Sequence, residues 1–444
     1  MKHLSFWLVL IALTFTVKTQ VWAEDLAELI KFPVEKYQLN NGLTVLLHED
    51  HSVPTISYHT WFRVGSKNEE PGYTGIAHLF EHLMFKGAKR YTGKEFDRIL
   101  QANGAVNNAF TSYDYTGYYE NLPSDKLELA VDLESDRLVN LQVNAENLVS
   151  EREVVKEERR VRVDNSVGGF LSEMLYATVF KVHPYRWPVI GWMQDLDQID
   201  LKKCREFYGS YYAPNNAVVI VAGDFDTKSA KALIDKYYSH LPASKTLVKT
   251  NIPVEPEQKG GRVQKLKKEI QTPMFAVAYR TSAAGEQSAY AFDLLANVLG
   301  EGQSSRLYRR LVYKEQIATS VTVYNHTLQQ QGVFQVVVSL KSTAHFERAK
   351  KIITEAIAQV GGQVVSEREL QKAKNQIMKT YVDALKTVNG KAYSLALSEI
   401  FFGDYGTLFS DLGRYNQVTA LDIQKAAQGT LTADRMNVVL VEPK

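Results

Sequence analysis

His78, Glu81 and His82 lie in one short stretch, GIAHLFEHLMFKG (75–87), in the pattern H-x-x-E-H. On a helix, positions i and i+4 project from the same face, so the two imidazoles can share one ion. Zinc binds histidine nitrogen at about 2.0–2.1 Å, and a catalytic zinc keeps three protein ligands and one open position. Glu81 stands beside the line of the two histidines rather than on it. A carboxylate so placed can reach water on the metal, which zinc makes acidic near neutral pH. Two structural histidines with a neighbouring acid would give the same pattern, so the chemistry needs a third ligand.

The remaining histidines are scattered and form no second pair. The chain does offer an acidic helix, ENLVSEREVVKEERRVRVDN (146–165). Glu151 and Glu158 are seven residues apart, two turns, and share a stripe. Glu153 and Glu157 point elsewhere. The same helix also reads as a solvated face stabilised by Glu–Arg pairs. Spacing alone does not choose between Glu157 and Glu158.

The elements that must hold these residues are legible in the periodicity. Asn40-Asn41-Gly42 between two alternating runs predicts a hairpin, and TISYHTWFRVGS a third strand. Helices are expected over 75–86, stopped by Gly87, and over 92–104 behind Thr92. AVNNAFTSYDYTGYYENLP alternates and reads as a strand pair. Helices follow over 124–140, 144–164 and 227–239, with a strand near 216–225. From Ser244 to Lys268 the chain turns polar, with Pro253, Pro256, Gly260 and Gly261. The second half has strands over 272–281 and 317–342 and helices over 286–299, 304–314, 345–360, 366–388 and 420–428, and it ends on RMNVVLVEP. Each half opens with strands and closes on one. This predicts an α+β chain of two similar domains, each a mainly antiparallel sheet packed with helices. Their expected bounds are 24–245 and 269–444, with a linker over 246–268.

Bulk properties narrow the setting. The 444 residues exceed one ordinary core. Lys and Arg number 52 against 50 Asp and Glu, with no dense basic stretch, so nucleic acid is not an expected partner. MKHLSFWLVLIALTFTVKTQVWA (1–23) reads as a secretory signal cleaved after Ala23. Its apolar run is short for a bilayer, and no membrane span is expected after its removal. Loss of Lys2 and Lys18 leaves a near-neutral chain, 50 against 50. The expected location is a periplasm. Cys204 is the only cysteine, so no internal disulfide forms, and it reads as a small buried residue.

At the residues already quoted, the chain resembles the pitrilysin/insulinase peptidases, family M16, which carry H-x-x-E-H. GIAHLFEHLMFKGAKRY looks like the family's zinc helix, NNAFTSYDYTGYY like its substrate strand and EREVVKEERR like the helix giving the third ligand. HPYRWPVIG looks like the segment after that helix. The resemblance implies one Zn²⁺ held by His78, His82 and Glu158. It implies Glu81 as general base and Glu151 as a carboxylate orienting the site. Asn108, Ala109 and Phe110 would pair with an extended peptide by β-augmentation. The implied activity is endopeptidase action on short or unfolded peptides. The alternative is a non-catalytic peptide-binding or scaffold subunit.

One departure bears on assembly. The family completes its site with an Arg and a Tyr seven residues apart. In the matching segment, LVYKEQIATSV, Val312 and Thr319 stand at those places. Neither supplies a guanidinium fork or a phenol. The family also encloses its substrate with four such domains, and this chain has two. The expected assembly is therefore a heterodimer with a homologous subunit supplying Arg and Tyr, a homodimer being the other arrangement.

Overall fold

The computed structural model describes residues 30–246 and 251–444. The leader expected over 1–23 lies outside them. Eleven strands among the described residues form two sheets. In the first half they are β1 (Glu35–Gln38), β2 (Thr44–Glu49), β3 (Thr55–Phe62), β4 (Val106–Thr111), β5 (Thr116–Pro123) and β6 (Ala217–Gly223). In the second they are β7 (Arg262–Lys268), β8 (Met274–Thr281), β9 (Ala318–His326), β10 (Gly332–Leu340) and β11 (Asn437–Pro443). Eight helices matter below: α1 (Ile76–Leu83), α2 (Leu127–Asn140), α3 (Ala145–Arg159), α4 (Val167–Val179), α5 (Gln287–Gly300), α6 (Glu367–Ala384), α7 (Val388–Phe402) and α8 (Thr407–Gln417).

The sheets run β1-β2-β6-β3-β5-β4 and β7-β11-β8-β10-β9. Leaving out β1, the two match strand for strand. β2 and β6 pair in parallel, as do β7 and β11; every other pairing is antiparallel. The expected pair of similar α+β domains is present, and the repeat is one of topology rather than of sequence. In each matching series the third strand in chain order, β4 or β9, lies on the outer edge.

Each sheet is covered on both faces, and one cover comes from the other half. Leu79, Phe80 and Leu83 of α1 join Leu43, Val45, Ile56 and Phe62 in the first core. The opposite face of that sheet, with Leu46, Trp61, Val218 and Ile220, packs on Leu395, Ala396 and Ile400 of α7. The second sheet returns the arrangement. One face meets α5, and the other, with Ala276, Val439 and Val441, packs on Leu171, Leu175 and Val179 of α4. The halves therefore exchange a helix. Both exchanged helices are apolar around much of their circumference, so their sequences lack the amphipathic stripe that announces a surface helix.

Two expectations differ in detail. The last seven residues of the stretch read as a linker form β7, whose alternate residues are only partly covered, so its charged outer face disguises a strand. The helix expected over 366–388 stops at Ala384, and α7 restarts behind Thr387, whose Oγ1 accepts the Gly390 N–H at 3.0 Å. Cys204 is buried, and burial pushes its thiol up to about 12.

Candidate metal centre

The first turn of α1 is built on a buried acid that spacing did not single out. Glu69 accepts the N–H groups of Gly75 (3.0 Å) and Ala77 (2.9 Å), which the helix itself leaves unpaired. Burial drives its carboxyl well above the ordinary range, and the two amides oppose that. Gly75 enters the helix at φ +93°. A Cβ there would lie 2.6 Å from the Ile190 carbonyl oxygen and 2.8 Å from Leu196 Cδ2. Gly75→Ala is therefore expected to cost roughly 1–3 kcal/mol from the left-handed backbone alone and to tilt the helix that carries both histidines. Denaturant melts and metal titration check this together; an unchanged midpoint with unchanged metal uptake would refute it.

One face of α1 is fully buried through Ile76, Leu79, Phe80 and Leu83. That packing turns His78 and His82 toward α3. There Glu158 Oε2 stands 3.7 Å from His78 Nε2 and 3.2 Å from His82 Nε2. The neighbours of Glu158 explain its direction. Glu157 faces solvent and pairs with Arg160 at 2.8 Å. Arg159 is buried and donates to Glu173 Oε2 (2.6 Å) and to the Gly191 carbonyl (2.8 Å). Gly191 packs against Gly75, so Arg159 ties the end of α3 to the start of α1. Arg162, a turn later, meets the other Glu158 oxygen at 2.7 Å.

Two further carboxylates complete the cluster. Glu151 Oε2 lies 3.6 Å from His82 Nδ1, and its other oxygen meets Lys86 Nζ at 2.6 Å. Glu81 Oε2 is 4.0 Å from His78 Nε2 and accepts the Thr111 hydroxyl at 2.7 Å. Burial lowers the His78 imidazole to about 4, with His82 adding to the effect. Burial also pulls on His82, but Glu151, Glu158 and Glu81 outweigh it and raise that ring to about 9. Burial raises the Glu81 carboxyl, opposed by the Thr111 hydroxyl.

β4 lies beside this cluster. It pairs with β5 on one side, and its other edge carries no strand among the described residues. Asn108 Oδ1 accepts the Ala109 N–H at 2.9 Å, so that amide faces away from β5. The Phe110 ring turns instead into the core between the halves, 4.9 Å from Trp61 and 5.5 Å from Tyr393. Phe110 thus offers backbone, not side chain, along the edge. Thr111 ends β4 and joins it to Glu81, a link no sequence signal announced.

The donor set fits a zinc ion. A tetrahedral zinc with bonds of about 2.0–2.1 Å spaces its ligand atoms about 3.3 Å apart. The two measured nitrogen–oxygen separations bracket that value, and all three ligand atoms lie within 4.8 Å of one another. Val312 packs against the second core and Thr319 lies exposed on β9.

The sequence and the fold both have relatives. The family model described as Insulinase (Peptidase family M16) matches residues 44–191, and that described as Peptidase M16 inactive domain matches 198–377. Zinc protease PqqE of Helicobacter pylori is 34% identical over 346 residues, 77% of each chain. The uncharacterized zinc protease YmxG of Bacillus subtilis is 24% identical over 90% of this chain and 96% of its own. The crystal structure of a protease from Helicobacter pylori superposes with a TM-score of 0.87 at 30% identity, over 93% of this chain and all of that one. The periplasmic protease PqqL of Escherichia coli shares the fold with a TM-score of 0.76 at 21% identity, over 92% of this chain and 47% of that one. The chain belongs to the M16 (insulinase) family of zinc proteases.

Proposed function

We propose that the chain is a zinc-dependent endopeptidase that hydrolyses short or unfolded peptides. One observation carries the reading: two imidazole nitrogens and a Glu158 oxygen converge beside a carboxylate, Glu81, that is hydrogen-bonded to the end of an open edge strand. His78, His82 and Glu158 would hold the ion. When bound, zinc supplies Lewis acidity to the scissile carbonyl and to water. The other steps belong to this chain's own groups. Glu81 takes a proton from the attacking water and returns it to the leaving amine, and the upward shift of its carboxyl suits a group that must do both. The backbone of Asn108, Ala109 and Phe110 receives the peptide as an added strand, with the Ala109 N–H passing from the Asn108 side chain to a peptide carbonyl. Such recognition makes little demand on peptide sequence.

Glu151 acts through His82, its carboxylate 3.6 Å from Nδ1 orienting the ring by charge. Glu151→Ala is expected to weaken zinc binding by about 10–100-fold, read by competition with a chromophoric chelator. Unchanged affinity would remove Glu151 from the site.

The assembly proposed is a heterodimer, with a homologous subunit bringing the Arg and Tyr for which Val312 and Thr319 cannot substitute. The match to only 47% of PqqL supports it, because that chain holds about two such lengths. The location proposed is a periplasm, reached by a leader cleaved after Ala23. No described helix is long and apolar enough to cross a membrane.

The test is direct. The purified chain, alone and with a co-purifying homologue, is given a pool of unstructured peptides before and after chelation, and its zinc content is measured. Hydrolysis that is lost on chelation and restored by zinc is expected. Stoichiometric zinc without hydrolysis, even with the partner present, would favour the scaffold role. Full activity of a homodimer would overturn the heterodimer.

A further inference from the structure

Between α5, α6, α7 and α8 lies a cavity of about 720 Å³. That is within the range of small-ligand sites, about 300–1,000 Å³. It is separate from the metal centre: His78, Glu81, His82 and Glu158 do not line it. Its walls are aromatic. Tyr115 enters from the turn before β5, and Tyr290, Tyr381, Tyr393 and Tyr415 come from the helices.

Three acids, Asp293, Asp411 and Glu301, line the cavity with His326 and without a Lys or Arg. The Arg414 guanidinium lies behind the wall, 5.8 Å over the Tyr290 ring. Asp293 is used within the fold, accepting the Tyr415 hydroxyl at 2.6 Å and the Asn325 amide at 2.9 Å. Asp411 is not fully used. One of its oxygens accepts the Tyr290 hydroxyl at 2.8 Å, and the other has no donor among the described residues. The neighbouring Arg414 donates to the Tyr290 oxygen, at 3.1 Å, rather than to Asp411. Gln376 Oε1, on α6, is buried and also lacks a donor. A buried acceptor without a donor, as Gln376 Oε1 is, is costly; the free oxygen of half-buried Asp411 and the tyrosine faces attract cations. An occupant that brings N–H groups, positive charge and apolar surface meets all three conditions.

We propose that this cavity binds an organic ammonium ion with an apolar body, the ammonium meeting Asp411 and the body resting on the tyrosine faces. Two sources share that chemistry: a free amine and the N-terminus of a peptide. Calorimetric titration of the full chain with phenethylamine and with its N-acetyl derivative tests the site. Phenethylamine is expected to bind one per chain, and the uncharged derivative at least tenfold more weakly. Asp411→Asn keeps an acceptor for Tyr290 and is expected to weaken phenethylamine tenfold or more. Leu397→Trp, which fills the cavity, is expected to abolish binding. Absence of phenethylamine binding, equal binding of the acetylated compound, or wild-type affinity in Asp411→Asn would each overturn the proposal. Competition by a short unstructured peptide with a free but not an acetylated N-terminus assigns the site to peptide N-termini. Phenethylamine binding without such competition assigns it to a free amine.

Discussion

Glu81→Gln is expected to lower peptide hydrolysis by roughly 10²–10⁴-fold while the protein still takes up one zinc per chain. Glutamine has the shape of glutamate and its carbonyl can still accept the Thr111 hydroxyl, now 2.7 Å from Glu81 Oε2. The link between α1 and β4 is therefore retained. What is lost is a group able to take a proton. Metal should stay, because the proposed ligand atoms are those of His78, His82 and Glu158. His82→Ala or Glu158→Gln should behave differently and lose metal and activity together. Metal analysis and a fluorogenic peptide assay on the same preparations separate the cases. Retained hydrolysis in Glu81→Gln would sink the proposed mechanism; loss of zinc in that variant would make Glu81 a ligand instead.

The metal helix was legible because its chemistry and its packing share one short stretch. H-x-x-E-H places the two histidines on one face, and Leu79, Phe80 and Leu83 bury the other. Glu158 was half legible. The stripe shared with Glu151 is visible in the sequence, but the choice over Glu157 depends on how α3 is rotated. Arg159 sets that rotation, by reaching Gly191, 32 residues further along the chain. Glu69 acts from a loop and Thr111 from the last position of β4, and neither contact left a trace in the periodicity.

The same distinction holds for the fold. Strands with alternating cover, such as those of 105–123, were readable from composition. The exchanged helices α4 and α7 were not, because each is clasped between a sheet of the other half and its own neighbours. Periodicity reports which face of a segment meets water. It says little of a segment covered on most of its faces, as α4 and α7 are, and these two helices hold the halves together.

Arg137→Ala is expected to destabilise the first half by roughly 3–5 kcal/mol, the cost of leaving buried charge without its partner. Arg137 on α2 is almost wholly buried, with Glu120 and Glu134 beside it. Its Nη2 lies 3.1 Å from Glu120 Oε1 and its Nε 2.6 Å from Glu134 Oε1. The guanidinium also sits over Tyr118, Phe96 and Phe85, 4.8 to 5.3 Å from the ring centres. Glu120 belongs to β5, which holds β4 in register through the Asn107–Glu120 pairing, so the cluster lies beneath the edge strand. Removing the charged head leaves two carboxylates buried together. Arg137→Met combined with Glu120→Gln and Glu134→Gln should recover most of the loss, since a neutral cluster of similar volume is tolerated. The cluster also sets a pH slope. Burial, reinforced by Glu134, holds the Glu120 carboxyl well above the ordinary range. The folded chain thus keeps a proton that the unfolded chain releases above about pH 4.3. This contribution to stability is complete below that pH and is lost as pH rises toward the folded value. Glu120→Gln, which fixes the protonated shape, should flatten the decline. Urea melts across a pH series measure both effects. A cost below about 0.5 kcal/mol for Arg137→Ala, the range of an ordinary surface change, or an unaltered slope in Glu120→Gln, would show that the three groups do not act as one buried unit.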